Sequence, residues 1–374
     1  MAVRPGLLAD LAARTEEMAG AVLDLCRIES PSEDLAALHA VAEHAAALGT
    51  GLLGRPPGRL TEEGRPALLW EPAPGGVLLL GHLDTVWPIG TLADWPRPLR
   101  DELRISAPGA FDMKAGVVQA MYAMAAAGGP DATGCGLLLT TDEELGSPVF
   151  RPLIERVAAG CSAVLVTEGS AGGALKTARK GVSRYTVRVT GRAAHAGLEP
   201  EKGVNALLEL AALVQEIDAM GAGSLTVVPT VAAAGTTTNT VPATAHVEID
   251  ARAATAADQD ALHTRMLALK PRHPEARVLV EGGVNRRPME PEQCAGLLAL
   301  ARDAAARLDL GELPAVAVGG GSDGNFTAGI GIPTLDGLGA VGDHAHAPGE
   351  YALLAELPRR AALVAALIGG VSGR

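Results

Sequence analysis

The sequence predicts an α/β protein. A larger, discontinuous domain with a mostly parallel sheet flanked by helices is interrupted by a smaller α+β sandwich. Three observations predict this. Short, continuously apolar runs alternate with helical patterns up to about residue 181; alternating polar and apolar strands take over between 182 and 288; and the first texture returns from about 291. The expected bounds are 1–181 with 289–374 for the larger domain and 182–288 for the insert. A length of 374 residues is comfortable for two domains.

In chain order, residues 7–48 carry Leu, Ala and Val at helical spacing among Asp, Glu and Arg and read as helices. After Gly- and Pro-rich punctuation, Gly76-Val-Leu-Leu-Leu-Gly81 suits a strand buried on both faces. Residues 114–126 read as a helix, 136–141 as a strand, 149–159 as a helix and 162–167 as a strand, the alternation of a parallel sheet. Ser183 to Thr190 then alternates polar with apolar residues, as in a half-exposed strand. A helix at 203–219, strands at 224–231 and 243–251, a helix at 256–269 and a strand at 275–281 complete a β-α-β-β-α-β block.

Hydrophobic residues make up 48% and charged residues 20%, so a sizeable core can be buried and wholesale disorder is excluded. A net charge of −12 argues against nucleic acid, whose phosphates need clustered Lys and Arg. The four cysteines are scattered without a CxxC spacing, as expected of buried thiols in a reducing compartment. No basic segment followed by an apolar run marks a signal peptide, and no apolar stretch reaches the roughly 20 residues of a membrane span. A cytoplasmic location without membrane contact is expected.

Three of the predicted buried strands run into metal-ligand chemistry: the first into His82-Leu-Asp84, the second into Asp142-Glu143-Glu144, the third into Thr167-Glu168. Ligands of open α/β sheets collect at the carboxyl ends of strands, so these side chains should converge. Asp112 stands just before a predicted helix, and His344 and His346 follow a Gly-rich segment near the C-terminus. Zinc accepts imidazole nitrogen and carboxylate oxygen. Two such ions about 3.5–4 Å apart need a ligand that touches both, which a carboxylate does with its two oxygens. A further carboxylate must stay off the metal to take a proton, and adjacent Glu143 and Glu144 suit that division. Asp84 is placed to hold the other ring nitrogen of His82. A lone acidic residue after a strand is usually a cap, and a lone histidine usually a structural residue. The convergence of five ligand-type residues is what favours metal.

Together these motifs resemble the metallopeptidase family of glutamate carboxypeptidases, aminoacylases, acetylornithine deacetylases and succinyl-diaminopimelate desuccinylases, over nearly the whole chain. Gly81-His82-Leu-Asp84-Thr-Val resembles the family's first motif and Gly109-Ala-Phe-Asp112-Met-Lys its second. Thr141-Asp142-Glu143-Glu144-Leu-Gly resembles the third, Glu168 falls at the fourth ligand, and His346-Ala-Pro-Gly-Glu350-Tyr351 resembles the last. The resemblance implies two zinc ions, one held by His82 and Glu168, the other by Glu144 and His346, and both by Asp112. Glu143 is then the general base, Asp84 orients His82, and the spacing to Glu350 selects His346 over His344. Such a donor set also accepts cobalt or manganese.

The insert resembles the family's lid and dimerisation domain, so the larger domain becomes the catalytic one and a homodimer is implied. Gly191-Arg-Ala-Ala-His195-Ala-Gly is similar to the segment whose histidine reaches the partner subunit's site and supports the oxyanion. Asn239 and Arg252 fall in further lid motifs that contact the substrate carboxylate or carbonyl, and Arg286 or its neighbour Arg287 adds a candidate carboxylate contact. Gly319 to Asn325 lacks the Gly-Lys-Ser/Thr element of a phosphate loop, and in the family a similar segment lines the substrate pocket. The expected activity is hydrolysis of an amide bond in a small peptide or N-acyl amino acid bearing a free carboxylate. TTTNTVPATAHVEIDAR and NRRPMEP look closest to the glutamate carboxypeptidase branch, with an N-acetyl or N-succinyl amino acid deacylase as the alternative. A non-catalytic binding relative would be expected to lose a ligand or the base, and all are present.

Overall fold

A computed structural model describes residues 3–372. The chain divides into two compact units, Met1–Ala178 with Glu290–Val318 and Ser322–Arg374, and Arg179–Met289 with Gly319–Gly321. In the first unit, helices α1 (Leu7–Ala12), α2 (Thr15–Arg27) and α3 (Leu35–Leu53) lead into β1 (Gly58–Glu62) and β2 (Arg65–Trp70), an antiparallel hairpin. In sequence this hairpin reads only as punctuation, because β1 is polar and exposed and β2 opens on Arg65-Pro66.

β3 (Val77–His82), α4 (Ala115–Ala126), β4 (Gly136–Thr140), α5 (Arg151–Ala158) and β5 (Ala163–Val166) follow. All three strands are buried at every position, which is why they are continuously apolar rather than alternating. Just before α4, the buried Lys114 ammonium donates to the carbonyls of Leu25 (3.1 Å) and Ile28 (2.8 Å) and so closes the end of α2.

The second unit holds β6 (Gly181–Thr190), α6 (Ala206–Asp218), β7 (Thr226–Ala234), β8 (Thr244–Ala253), α7 (Ala256–Leu267) and β9 (Arg277–Arg286). Its four strands form one antiparallel sheet in the order β9-β6-β8-β7. Tyr185, Val187 and Val189 of β6 share a core with Leu210 and Leu213 of α6 and Leu262 and Met266 of α7, while Arg184 and Arg188 face the other way. That is the half-solvated sheet its alternating sequence predicts.

The chain returns to the first unit through α8 (Pro291–Arg307), β10 (Thr334–Leu335) and α9 (Glu356–Ser372). The large sheet runs β1-β2-β4-β3-β5-β10 and is parallel from β4 to β10. No helix among the described residues is long and apolar enough to cross a membrane. The four cysteines are free and buried, and burial pushes the Cys26 thiol up to about 12.

Candidate metal centre

His82 is the last residue of β3 and pairs across the parallel ladder with Thr140 of β4. Beyond Thr140 the chain leaves the sheet and enters a single 3-10 turn, Glu143–Leu145. Beyond β5, Thr167 N still donates to Leu80 O at 3.1 Å, so Glu168 leaves the sheet beside β3. Three adjacent parallel strands therefore deliver these side chains at their carboxyl ends. A Cβ on Gly116 or Gly339 would strike the Thr167 carbonyl, so glycine is what lets α4 and the loop at 339 close on the residue before Glu168.

Asp112 joins from the loop before α4, and its two oxygens face different histidines. Oδ1 lies 3.3 Å from His82 Nε2 and Oδ2 lies 3.2 Å from His346 Nε2. Glu168 Oε1 is 3.5 Å from His82 Nε2, and Glu144 Oε2 is 3.2 Å from His346 Nε2. The result is two groups, His82–Asp112–Glu168 and Asp112–Glu144–His346, whose donor atoms lie within 4.8 Å of one another in each. His344 stays outside both; its Nδ1 lies 3.4 Å from Pro348 O.

The residues fit a pair of cations. His82 Nδ1 bonds the Asp84 carbonyl at 3.0 Å, and since a carbonyl only accepts, Nδ1 carries the hydrogen and Nε2 offers its lone pair. That Nε2 is buried without a hydrogen-bond partner, as is Glu144 Oε1. Asp112 and Glu144 raise His346 to about 10. Burial opposes charging His82, yet Asp112, Asp84 and Glu168 together hold it well above the usual histidine range. Burial likewise opposes ionising Asp112, but His346 and His82 keep its carboxyl far below the usual range. The cluster draws positive charge to both histidine nitrogens, which is where zinc would bind.

Asp84 meets the His82 ring with both its main chain and its side chain. Its main-chain carbonyl accepts from Nδ1 at 3.0 Å, and its carboxylate Oδ1 lies 3.4 Å from the same nitrogen. The carboxylate also accepts from Ser32 Oγ (2.7 Å), Glu143 N (3.3 Å) and Glu144 N (3.2 Å). It thereby fixes the turn carrying Glu143, whose side chain is half-buried, and Glu144.

In the sequence Glu350 serves only as a spacing mark for His346. In the fold it is fully buried, and its carboxylate accepts from Gly109 N (3.0 Å), Phe111 N (2.8 Å), Asp112 N (2.9 Å) and Trp87 Nε1 (2.7 Å). The segment that brings His346 thus also clamps the loop presenting Asp112. Gly320-Gly321-Ser322-Asp323-Gly324 spells the Gly-x-Ser-x-Gly of a nucleophile elbow, but Ser322 is buried and its hydroxyl is bound to the Asp336 carboxylate rather than to an imidazole.

The other expected residues lie in the second unit. His195 is exposed, and its Nδ1 accepts from Gly197 N and Leu198 N, both at 3.1 Å, so its hydrogen sits on Nε2. Asn239 is exposed on the adjoining segment, where its carbonyl accepts from Ala196 N at 2.9 Å. Arg252 makes a two-pronged ion pair with Asp250 (2.7 and 3.0 Å), so its fork is already engaged. Arg286 is buried, while Arg287 turns outward onto Asp260.

Residues 78–369 match the family described as Peptidase family M20/M25/M40. Carboxypeptidase G2 of Pseudomonas sp. (strain RS-16) is 33% identical over 308 residues, 78% of this chain and 73% of that protein. An aminopeptidase from Bacillus cereus superposes with a TM-score of 0.70 at 21% identity, covering 96% of this chain and 98% of its own. A dinuclear metal-binding peptidase from Bacillus subtilis does so with a TM-score of 0.70 at 15% identity, covering 97% and 99%. The two structures are similar in fold.

Proposed function

The chain belongs to peptidase family M20/M25/M40, metal-dependent hydrolases, and on that premise we propose that it is a two-zinc enzyme cleaving the amide bond to an amino acid with a free carboxylate, foremost a C-terminal glutamate. The observation that carries this reading is Asp112, whose two oxygens each face one histidine–carboxylate pair.

In this reading His82 and Glu168 would hold one ion, Glu144 and His346 the other, and Asp112 would serve both. When bound, such ions would supply Lewis acidity toward the scissile carbonyl and toward water. Glu143 takes the proton from the attacking water and returns it to the departing amine nitrogen. Asp84 keeps the Glu143–Glu144 turn in place through its two backbone hydrogen bonds. His195, acting from a partner copy in a homodimer, offers its Nε2 hydrogen to the oxyanion. Asn239 and Arg286 read the substrate carboxylate, and Arg252 joins them only by releasing Asp250. The setting is the cytoplasm.

The carboxypeptidase reading is supported by the likeness to Carboxypeptidase G2 over 78% of the chain, and the glutamate preference rests on the resemblance of TTTNTVPATAHVEIDAR and NRRPMEP to the glutamate carboxypeptidase branch. A panel on purified, zinc-loaded protein tests it, with C-terminal glutamyl peptides set against N-acetyl and N-succinyl amino acids. Release of glutamate should be fastest; faster hydrolysis of the N-acyl compounds would replace the carboxypeptidase reading with a deacylase. Glu143→Ala should lower kcat by about 10²–10⁴-fold with metal content unchanged. Wild-type turnover in that variant would reject Glu143 as the base.

A further inference from the structure

We infer that a cavity beside the start of α9 is a binding site for a small carboxylate of amino-acid size, anchored by Arg360. The cavity, about 300 Å³, lies entirely within the first unit and is lined by the Gly172–Gly173 turn, Leu310, Leu313, Arg359, Arg360 and Leu363. Arg360 is only 5% exposed. One of its terminal nitrogens donates to the Gly173 carbonyl, and the other, Nη1, has no hydrogen-bond partner. Among the described residues no carboxylate pairs with it. Its neighbour Arg359 donates from Nη2 to Leu310 O at 2.8 Å, and its Nε lies 3.2 Å from Glu356 Oε1 as an ion pair without a hydrogen bond.

The Arg360 guanidinium is therefore a buried cation with no carboxylate in direct contact; Glu356 in the wall favours its charge only from a distance, its nearer partner being Arg359. Burial pulls its pKa down to about 10, which leaves it protonated at neutral pH. An ion in that state costs several kcal/mol unless a partner charge offsets it. A carboxylate is the matched partner, because its two oxygens meet the parallel donors of a guanidinium.

The rest of the wall narrows the ligand. At roughly 30 Å³ per water the cavity exceeds a single oxyanion several-fold, and its leucines suit a short hydrocarbon body. Glu312 and Glu356, also in the wall, disfavour a dianion such as phosphate. The turn carrying Gly173 is fixed in advance. Gly172 and Gly173 both take positive φ between the bridged residues Ala171 and Ala174, and Ser170 bonds Ala340 O through both its backbone N (2.8 Å) and its hydroxyl (2.9 Å).

The test is calorimetric titration of the full-length, metal-loaded protein with L-leucine and with isocaproate, which is leucine without its amino group. Both should bind, and Arg360→Met should weaken binding by about 10-fold or more, the loss expected of a charge-assisted contact. Leu310→Trp, which fills the cavity and keeps Arg360, should weaken it comparably and decides the matter if Arg360→Met fails to fold. Carboxylates bound at the metal centre would be indifferent to both substitutions. No binding at tens of millimolar, or equal affinity in wild type and a folded variant, would overturn the site.

Discussion

Four hydrogen bonds converge on the Glu350 carboxylate, three of them from the backbone that presents Asp112. Glu350→Gln keeps the shape but turns one acceptor oxygen into an amide donor facing N–H donors. Loss of such an outer partner typically costs 10–100-fold in metal affinity. We expect about that loss in competition with a chromophoric chelator, together with an altered tryptophan emission, since Trp87 bonds the same carboxylate. Unchanged affinity in a folded variant would show that the clamp does not control the site. Its role was not legible in sequence because Glu350 acts on a backbone 239 positions earlier, whereas the ligands declare themselves by residue type at strand ends. His346 carries a second prediction at this scale. In metal-free protein its pKa is raised to about 10 by Asp112 and Glu144. A raised histidine contributes stability fully below its unfolded value near 6.5, and that contribution is lost as pH climbs through the folded value. The melting temperature of chelated protein should fall between about pH 6.5 and 10 more steeply than that of chelated His346→Ala. Parallel profiles would mean that the ring carries no such proton.

Among the elements, β3, β4 and β5 were legible because burial on both faces leaves a continuous apolar run. The β1–β2 hairpin was not, since an exposed edge places no such demand on its residues. The closeness of α4 to the ligand-bearing strand end was also hidden, and Gly116 is where it can be tested. In an exposed helix Gly→Ala gains about 1 kcal/mol from propensity. Here the new methyl would meet the Thr167 carbonyl, part of a backbone held to Leu80 and unable to swing aside as a side chain would. Overpacking of this kind costs typically 1–3 kcal/mol, so the clash should win. Gly116→Ala is expected to lower the urea midpoint. A raised midpoint would mean that α4 stands further from Thr167 than the structure places it.

At the scale of the molecule, the inserted unit was legible from the change of strand texture, although Gly319–Gly321, distant in sequence, joins it. What those residues do for a substrate was not legible, because Arg252 and Arg286 differ in surroundings rather than in kind: one is forked onto Asp250, the other is buried in the unit. The two units have separate cores, that of the second built from β6–β9 with α6 and α7, and every proposed metal ligand belongs to the first. Metal binding stabilises only the state that binds it. Ions present at 100–1,000 times their dissociation constant contribute about 2.7–4.1 kcal/mol. For a unit of this size that corresponds to a shift on the order of 5–15 °C. Scanning calorimetry after chelation should therefore show the transition of the first unit moving down by that amount while the second holds its position. Adding zinc back should restore the first. Two transitions that shift together would mean that the units unfold as one. If neither shifts after verified metal removal, these carboxylates and histidines do not hold a stabilising ion.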